Sequence, residues 1–320
     1  MQTNKKRKLK TYNKCYNLNQ SPLYKLSSQK ELCRLLNVSK NEIQELIDSE
    51  NLSKHYDCFL IENRLIRHPI SKMYEIHHVI GSLLARIETP EYLHSKKKSS
   101  YITNASFHSE SRQVITFDIS SFFSSITSNT VKIFFRNKMK CSPDVAYILS
   151  ELCSVESALP TGSAVSFYLS FLANIDMFEE MSILAKANNT NFTLYVDDIT
   201  LSGKHVDKSL FNTMKKIVEK YGYLIKSNKT KRYTYNDTPI ITGLAVSNGK
   251  VNSVNKFMYK LRKKNEFLSG DIQNLDNKLL LKEYNSLRGK NTYLRSLGSL
   301  VPSHSLEMEE KLRNIVSVQS

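Results

Sequence analysis

Two adjacent acids inside an apolar, β-prone stretch constrain this chain more than any other feature. In Phe192-Thr193-Leu194-Tyr195-Val196-Asp197-Asp198-Ile199-Thr200-Leu201-Ser202 the residues before the acids are apolar, aromatic or β-branched, the composition of a strand. Those after the acids alternate apolar and hydroxyl side chains, which suits a second, half-buried strand. The pattern predicts a hairpin with Asp197 and Asp198 at its bend. Burying two unpaired carboxylates there would cost several kcal/mol. They either face solvent as turn residues or hold a cation, and the stretch alone leaves both readings open.

A third acid stands at the end of another strand-like run. Val114-Ile115-Thr116-Phe117-Asp118-Ile119-Ser120-Ser121-Phe122-Phe123 is rich in β-branched residues up to Asp118, then passes into a turn and an aromatic pair. Between the two acid-bearing runs lie a mostly helical segment, 127–157, and a Gly turn, Leu159-Pro160-Thr161-Gly162-Ser163. An apolar run then predicts one long helix over 163–186, buried against a sheet.

The flanking segments read as support. Lys5-Lys6-Arg7-Lys8-Leu9-Lys10 makes 1–21 a basic arm with non-specific phosphate affinity, or a solvated tail. Segment 27–47 carries two short helical patterns with Ser28 and Ser39 as N-caps. Its spacing suits a DNA-binding helix-turn-helix, but any two-helix hairpin gives the same pattern, and packing is the preferred reading. Segment 56–67 predicts a small sheet bearing Arg64 and Arg67, and 73–87 a helix ended by Pro90. His77 and His78 on that helix diverge too far to be a metal pair and read as surface or packing residues. Further on, 210–221 is amphipathic with Gly222 at its end, 226–232 is a basic connection, and 240–249 suggests a hairpin turning at Asn248-Gly249. From Val254 the chain reads as basic helices, with Lys260, Arg262, Lys263 and Arg288 on a cationic face and leucines inside.

Charge narrows the partner. The 320 residues hold 46 Lys and Arg against 30 Asp and Glu, a formal net charge of +16, which favours nucleic acid ahead of a membrane. Seventeen Tyr and fourteen Phe supply rings for base stacking. No apolar run reaches membrane-span length, and the N-terminus is too polar for a signal peptide. The five cysteines show neither metal-ligand nor disulfide spacing, so the expectation is a cytoplasmic protein with reduced thiols.

Three aspartates from neighbouring strands can bind two divalent cations. Mg²⁺ prefers hard oxygen ligands and shares its shell with phosphate oxygens and water. Two such ions about 4 Å apart can activate an attacking hydroxyl and stabilise a departing phosphate oxygen. A metal-free alternative makes Asp118 a turn cap and Asp197–Asp198 solvated, but leaves the intervening Gly turn and buried helix without a role.

The ordered set Phe117-Asp118-Ile119-Ser120-Ser121-Phe122-Phe123, Leu159-Pro160-Thr161-Gly162, Ala173-Asn174, Tyr195-Val196-Asp197-Asp198, Asn228-Lys229-Thr230 and Thr242-Gly243-Leu244 resembles the palm motifs of a reverse transcriptase. Asn104-Ala105-Ser106-Phe107-His108 resembles the Asn-Ala-x-x-His box of the bacterial retron branch, and Ile241-Thr242-Gly243 its Val-Thr-Gly box. The likeness covers roughly 64–246, and only a short helical segment follows it.

The resemblance implies an α+β right-hand polymerase with fingers, palm and thumb, its antiparallel palm sheet backed by helices. The expected division is 1–55 for the arm and helical segment, 56–113 for fingers, 114–250 for palm with fingers helices at about 127–158, and 251–320 for the basic thumb. Asp118, Asp197 and Asp198, with the Ile119 carbonyl, would bind two Mg²⁺ ions, or Mn²⁺. Phe123 would select dNTPs against a 2′-hydroxyl, and Gly162, with Thr161 beside it, would let backbone approach the nucleotide or template. Lys229 would neutralise or protonate pyrophosphate, with Lys226 and Lys231 as rivals, and Arg64 and Arg67 would clamp the triphosphate. Asn104, His108, Thr242, Gly243 and the thumb cations Lys260, Arg262, Lys263 and Arg288 would contact RNA.

By the same resemblance the activity is RNA-directed DNA synthesis on a cognate noncoding RNA. It would be primed from a guanosine 2′-hydroxyl to give branched msDNA, with a retron effector protein as partner and a role in antiphage defence. The alternatives are another bacterial reverse transcriptase (intron or phage-defence type), a non-catalytic RNA-binding scaffold, and a DNA-binding regulator resting on 27–47. The sequence departs from the family at Thr161, where Gln is usual, at Ser163-Ala164, where Ser-Pro is usual, and at Val196, where retrons more often have Ala. The loop at His94-Ser95-Lys96 also lacks the family's usual Gly-Phe.

Overall fold

The computed structural model describes residues 14–48, 52–271 and 276–318. The basic run Lys5–Lys10 lies outside the described residues. The chain opens with two capped helices, α1 (Gln29–Leu36) and α2 (Lys40–Ile47). The Ser28 and Ser39 side chains accept from the backbone N–H of Glu31 and Glu42, and the Glu42 side chain answers the Ser39 N–H. Leu32, Leu36, Ile43 and Leu46 are buried in the main core, so this pair packs inward as the preferred reading required.

A hairpin follows, β1 (Tyr56–Ile61) and β2 (Arg64–Pro69), and then α3 (Ser71–Leu84). Helix α3 stops at Ala85, short of Pro90, because Glu88 and Tyr16 turn the chain aside: the Tyr16 N–H bonds Arg86 O at 3.0 Å and the Glu88 N–H bonds Tyr16 O at 2.9 Å. Helix α4 (Tyr101–Phe107) leads into strand β3 (Gln113–Asp118). Helix α5 (Phe122–Ser125) follows the strand, and α6 (Ser128–Ile133), a π-helical stretch (Phe134–Lys138) and α7 (Pro143–Leu152) cover most of the expected helical segment.

The single long helix expected over 163–186 is two helices, α8 (Ser166–Leu172) and α9 (Ile175–Ala187). Asn174 breaks them with φ −114° and ψ 18°, and its side-chain amide donates to the Ser170 carbonyl at 3.0 Å. An Asn that satisfies a backbone acceptor locally competes with helix continuation.

Strands β4 (Asn191–Tyr195) and β5 (Asp198–Gly203), helix α10 (Lys208–Lys220) and strand β6 (Lys231–Tyr233) complete a four-stranded antiparallel sheet in the order β4-β5-β3-β6. The segment 226–232 is therefore a short 3-10 turn and an edge strand, not only a connection. Three residues with alternating Lys, Arg and Tyr carry too weak a period to read as a strand. The next strands, β7 (Ile240–Ile241), β8 (Leu244–Ser247) and β9 (Lys250–Ser253), form a meander with two-residue turns at Thr242-Gly243 and Asn248-Gly249.

Three helices end the chain, α11 (Asn255–Asp271), α12 (Asn277–Ser296) and α13 (Ser303–Val318). They share a core of their own around Leu261, Leu268, Leu287, Leu294 and Leu312. The main core lies beneath the four-stranded sheet, where Phe117, Leu194, Ile199 and Leu201 meet Phe178, Met181, Met214 and Val218 of α9 and α10. The architecture is mixed helix and sheet with every sheet antiparallel. Among the described residues no helix is long and apolar enough to cross a membrane, and all five cysteines are free thiols.

Candidate active site

Strand register brings the three acids together. Asp118 ends β3 and Asp198 begins β5, and the two are direct partners across the antiparallel pair. Tyr195 of β4 also pairs with Asp198, so Val196 and Asp197 are the two turn residues of the β4–β5 hairpin. Val196 has φ +63°, a conformation that β-branched residues rarely adopt. Its N–H donates to the Ser95 hydroxyl at 3.1 Å, while the Ile119 N–H donates to the Asp197 carbonyl at 3.1 Å. The turn is thus held from both sides.

The acids crowd one another in a half-buried place. Burial, then the Asp118 charge, raises the Asp197 carboxyl above its ordinary value, and Lys229 and Arg64 pull it back. Asp198 is pushed up to about 7 by burial, then by Asp118 and Asp197, against the pull of Lys229. A cation would relieve this crowding. Among the described residues no three or more His, Cys, Asp or Glu groups are already gathered closely enough to hold an ion alone. The donor set fits a hard divalent cation that draws part of its shell from phosphate oxygens and water.

The expected cations divide. Lys229, in the turn before β6, is ion-paired with Asp118. Of its rivals, Lys226 contributes its backbone N–H to the Asp118 carbonyl at 2.8 Å, and Lys231 lies in β6, opposite Thr116. Arg64 is close enough to lower the Asp197 pKa, whereas Arg67 is ion-paired with Glu156. The two arginines thus meet different partners.

Gly162 is held against β2. Its N–H donates to Arg67 O at 3.1 Å, and the Thr161 hydroxyl donates to Leu65 O at 2.7 Å. A Cβ on Gly162 would lie 2.9 Å from both Arg67 O and Ile66 Cγ2. The close approach this glycine permits in the structure is to β2 backbone. His77 secures the same turn: buried, it meets Ser163 Oγ at 2.5 Å and the Leu152 carbonyl at 2.6 Å. It is a packing histidine. Phe123, in α5, is half-buried beside Phe122, with ring centroids 6.2 Å apart.

Asn104 and His108 are both buried. The His108 ring meets Ser202 Oγ at 2.6 Å and Thr193 Oγ1 at 2.8 Å, which fastens the end of α4 to β4 and β5. Thr242 has φ +46° and Gly243 φ +83°, as a tight β7–β8 turn demands, and the Thr242 hydroxyl donates to Tyr101 O at 2.9 Å. Lys260 and Arg288 are exposed on α11 and α12. Arg262 and Lys263 share Glu266, at 3.6 and 2.8 Å.

Sequence reasoning missed Ser95, Glu156, Thr193 and Ser202. The hydroxyl alternation in β5 was a signal for Ser202; for Ser95 and Glu156, both in loops, the sequence carries none.

No family model matches the chain. In sequence it is similar to reverse transcriptases, and among these to the retron enzymes. Over 250 residues it is 28% identical to the retron Se72 reverse transcriptase of Salmonella heidelberg (strain 579083-10), covering 72% of this chain and 64% of that one. The Escherichia coli retron Ec48 reverse transcriptase is 26% identical over 161 residues, 49% of this chain and 39% of the relative. The retron Ec86 reverse transcriptase of Escherichia coli is 26% identical over 176 residues, 54% and 55% of the two chains. The chain spans less than two thirds of the length of each of these relatives. Among solved structures, telomerase from Candida albicans in complex with a TWJ fragment of telomeric RNA aligns over 91% of this chain and 65% of its own, with a TM-score of 0.45 at 12% identity. A foamy viral protease-reverse transcriptase in complex with double-stranded DNA aligns over 95% and 48%, with a TM-score of 0.44 at 16% identity.

Proposed function

We propose that this chain is an RNA-directed DNA polymerase of retron type. The pairing of Asp118 with Asp198 at the strand ends, with Asp197 in the adjoining turn, carries the reading. The sequence similarity to retron reverse transcriptases supports it.

In this reading Asp118, Asp197 and Asp198 hold two Mg²⁺ ions, or Mn²⁺, with the Ile119 carbonyl assisting. Bound there, the ions supply Lewis-acid activation of a sugar hydroxyl and stabilise the departing pyrophosphate oxygens. Lys229 and Arg64 bring positive charge to the same place, where a triphosphate must be neutralised. Phe123, on the helix that follows Asp118, excludes a 2′-hydroxyl from the incoming sugar in the same reading. The segments 56–113, 114–250 and 251–320 act as fingers, palm and thumb, and the basic helices α11 and α12 grip nucleic acid through phosphate contacts.

The template is a structured noncoding RNA, primed from a guanosine 2′-hydroxyl to give branched msDNA. An effector protein and a role in antiphage defence complete the proposal. Mixing the purified chain with its copurifying RNA, dNTPs and Mg²⁺ tests it. DNA covalently joined to RNA is expected, and Asp197→Asn with Asp198→Asn should abolish synthesis while sparing RNA binding. Removing a group that only orients a metal ligand costs about 10–100-fold, so loss of the carboxylates themselves should cost at least about 100-fold. No DNA from the wild-type chain would leave the RNA-binding scaffold; equal synthesis on an unrelated primed RNA would leave a reverse transcriptase of another type.

A further inference from the structure

Strand β4 leads into the acid turn, and β5 pairs with only one of its edges. Along the other edge the segment 92–95 runs parallel to it. The Leu194 N–H donates to Tyr92 O at 2.8 Å, and the His94 N–H donates to Leu194 O at 2.9 Å. In a regular parallel ladder the next donor, the Val196 N–H, would meet the His94 carbonyl. It donates instead to Ser95 Oγ at 3.1 Å. One side chain thus takes the place of a backbone acceptor and carries the ladder a step further, into the turn.

The segment is itself firmly held. Leu93 is buried, and the Tyr92 hydroxyl donates to Glu179 Oε1 on α9 at 3.0 Å. Lys96 Nζ closes the loop by donating to the Pro90 and Thr89 carbonyls at 2.8 and 3.3 Å. What such a support can fix is Asp197. Strand pairing alone sets Asp118 against Asp198, but Asp197 lies outside the ladder, in the two-residue turn. Its carbonyl accepts from the Ile119 N–H on the inner side. On the outer side Ser95 holds the residue before it, Val196, at φ +63°. A β-branched residue in that conformation persists only where its surroundings hold it, so a turn released at Ser95 is free to relax and swing Asp197 away.

We propose that Ser95 is a positioning residue for the metal-binding acids: through the Val196 N–H it holds the turn so that Asp197 stays beside Asp118, whose charge it already feels. Ser95 acts on the backbone and touches neither ion nor nucleotide. The loop that carries it, 94–96, is one of the places where the sequence departs from the reverse transcriptase pattern. What the acids bind rests on the polymerase reading above; the ladder and its side-chain acceptor do not. The rival reading gives Ser95 a part in stability alone, and the two differ in metal dependence.

The test uses the whole chain and reads metal binding apart from synthesis. Mn²⁺ is titrated into the protein while electron paramagnetic resonance follows the free ion. Ser95 is half-buried and loses only a hydroxyl in Ser95→Ala, so that variant should fold. It should bind Mn²⁺ about 3–10-fold more weakly, the scale of one net hydrogen bond. The Mg²⁺ concentration for half-maximal DNA synthesis should rise by the same factor, with the maximal rate regained at saturating Mg²⁺. Ser95→Thr keeps the acceptor and should restore both values. Tyr92→Phe cuts the segment's bond to α9 and leaves Ser95 in place; it should lower the melting temperature without moving either metal midpoint. A Ser95→Ala protein that melts earlier but binds Mn²⁺ as the wild type does overturns the proposal. Equal losses of metal affinity in Ser95→Ala and Ser95→Thr, or in Ser95→Ala and Tyr92→Phe, overturn it as well. Mn²⁺ binding that weakens in Ser95→Ala, from a wild type that makes no DNA, defeats the polymerase reading alone. Synthesis whose Mg²⁺ midpoint ignores Ser95→Ala defeats the Ser95 assignment alone.

Discussion

The ammonium of Lys229 is ion-paired with the carboxylate of Asp118. One cation of the chain therefore sits on an acid that a divalent ion is proposed to use. The two compete for the same oxygens, and a positive charge nearby also repels an entering ion. Lys229→Gln should lower the Mg²⁺ concentration for half-maximal DNA synthesis severalfold. It should also lower the maximal rate, because charge is withdrawn from the leaving pyrophosphate. Titrating Mg²⁺ against synthesis rate checks both. An unchanged half-maximal concentration would show that Lys229 leaves Asp118 before the metal binds.

The acid-bearing hairpin was legible because apolar strands on either side of two aspartates leave few folds open, and the period of two places the bend. The capped helices α1 and α2 were legible for a similar local reason: Ser28, Ser39 and Glu42 act within one turn. What escaped the sequence is non-local. Nothing near Arg67 announces Glu156, and nothing near Val196 announces Ser95, a partner 101 residues away. A motif gives identity without burial, so nothing in the sequence places the His108 ring inside; its partners Thr193 and Ser202 sit on strands that only the fold brings to α4.

Two buried neutral histidines should make the protein acid-labile. Burial lowers His108 to about 3 and His77 to about 4, from an ordinary 6.5. Below the ordinary value the unfolded chain binds protons that the folded chain refuses, so stability is full above about pH 6.5 and falls as pH falls. At pH 5 each should cost about 1–2 kcal/mol. Urea unfolding between pH 7.5 and 5 measures the slope, and His108→Asn should flatten part of it. A variant whose slope equals the wild type's would mean that His108 is accessible to protons in the folded state.

Gly162 allows one residue of the turn to press on β2. Gly162→Ala places a methyl 2.9 Å from Arg67 O, a backbone atom that cannot swing aside. Overpacking of this kind typically costs about 1–3 kcal/mol. Because β2 also carries Arg64, which acts on Asp197, displacement should reduce synthesis as well as stability. Thermal unfolding and primer extension on the same preparation check the two effects. A neutral Gly162→Ala would show that the turn and β2 separate freely.

Val196 occupies the first turn position of the acid hairpin at φ +63°. A Cβ is penalised there, and a β-branched side chain more so. In ordinary strands Ala is more stable than Gly by roughly 0.5–1 kcal/mol. At this position the order should reverse, with Val196→Gly more stable than Val196→Ala by roughly 1 kcal/mol. Six residue pairs between β3 and β5 fix Asp118 opposite Asp198 without help from this side chain. Both variants should therefore keep DNA synthesis within a few-fold of the wild type. Urea denaturation of the pair decides the matter: Ala above Gly would mean that the turn relaxes out of its left-handed conformation once the branched side chain is gone.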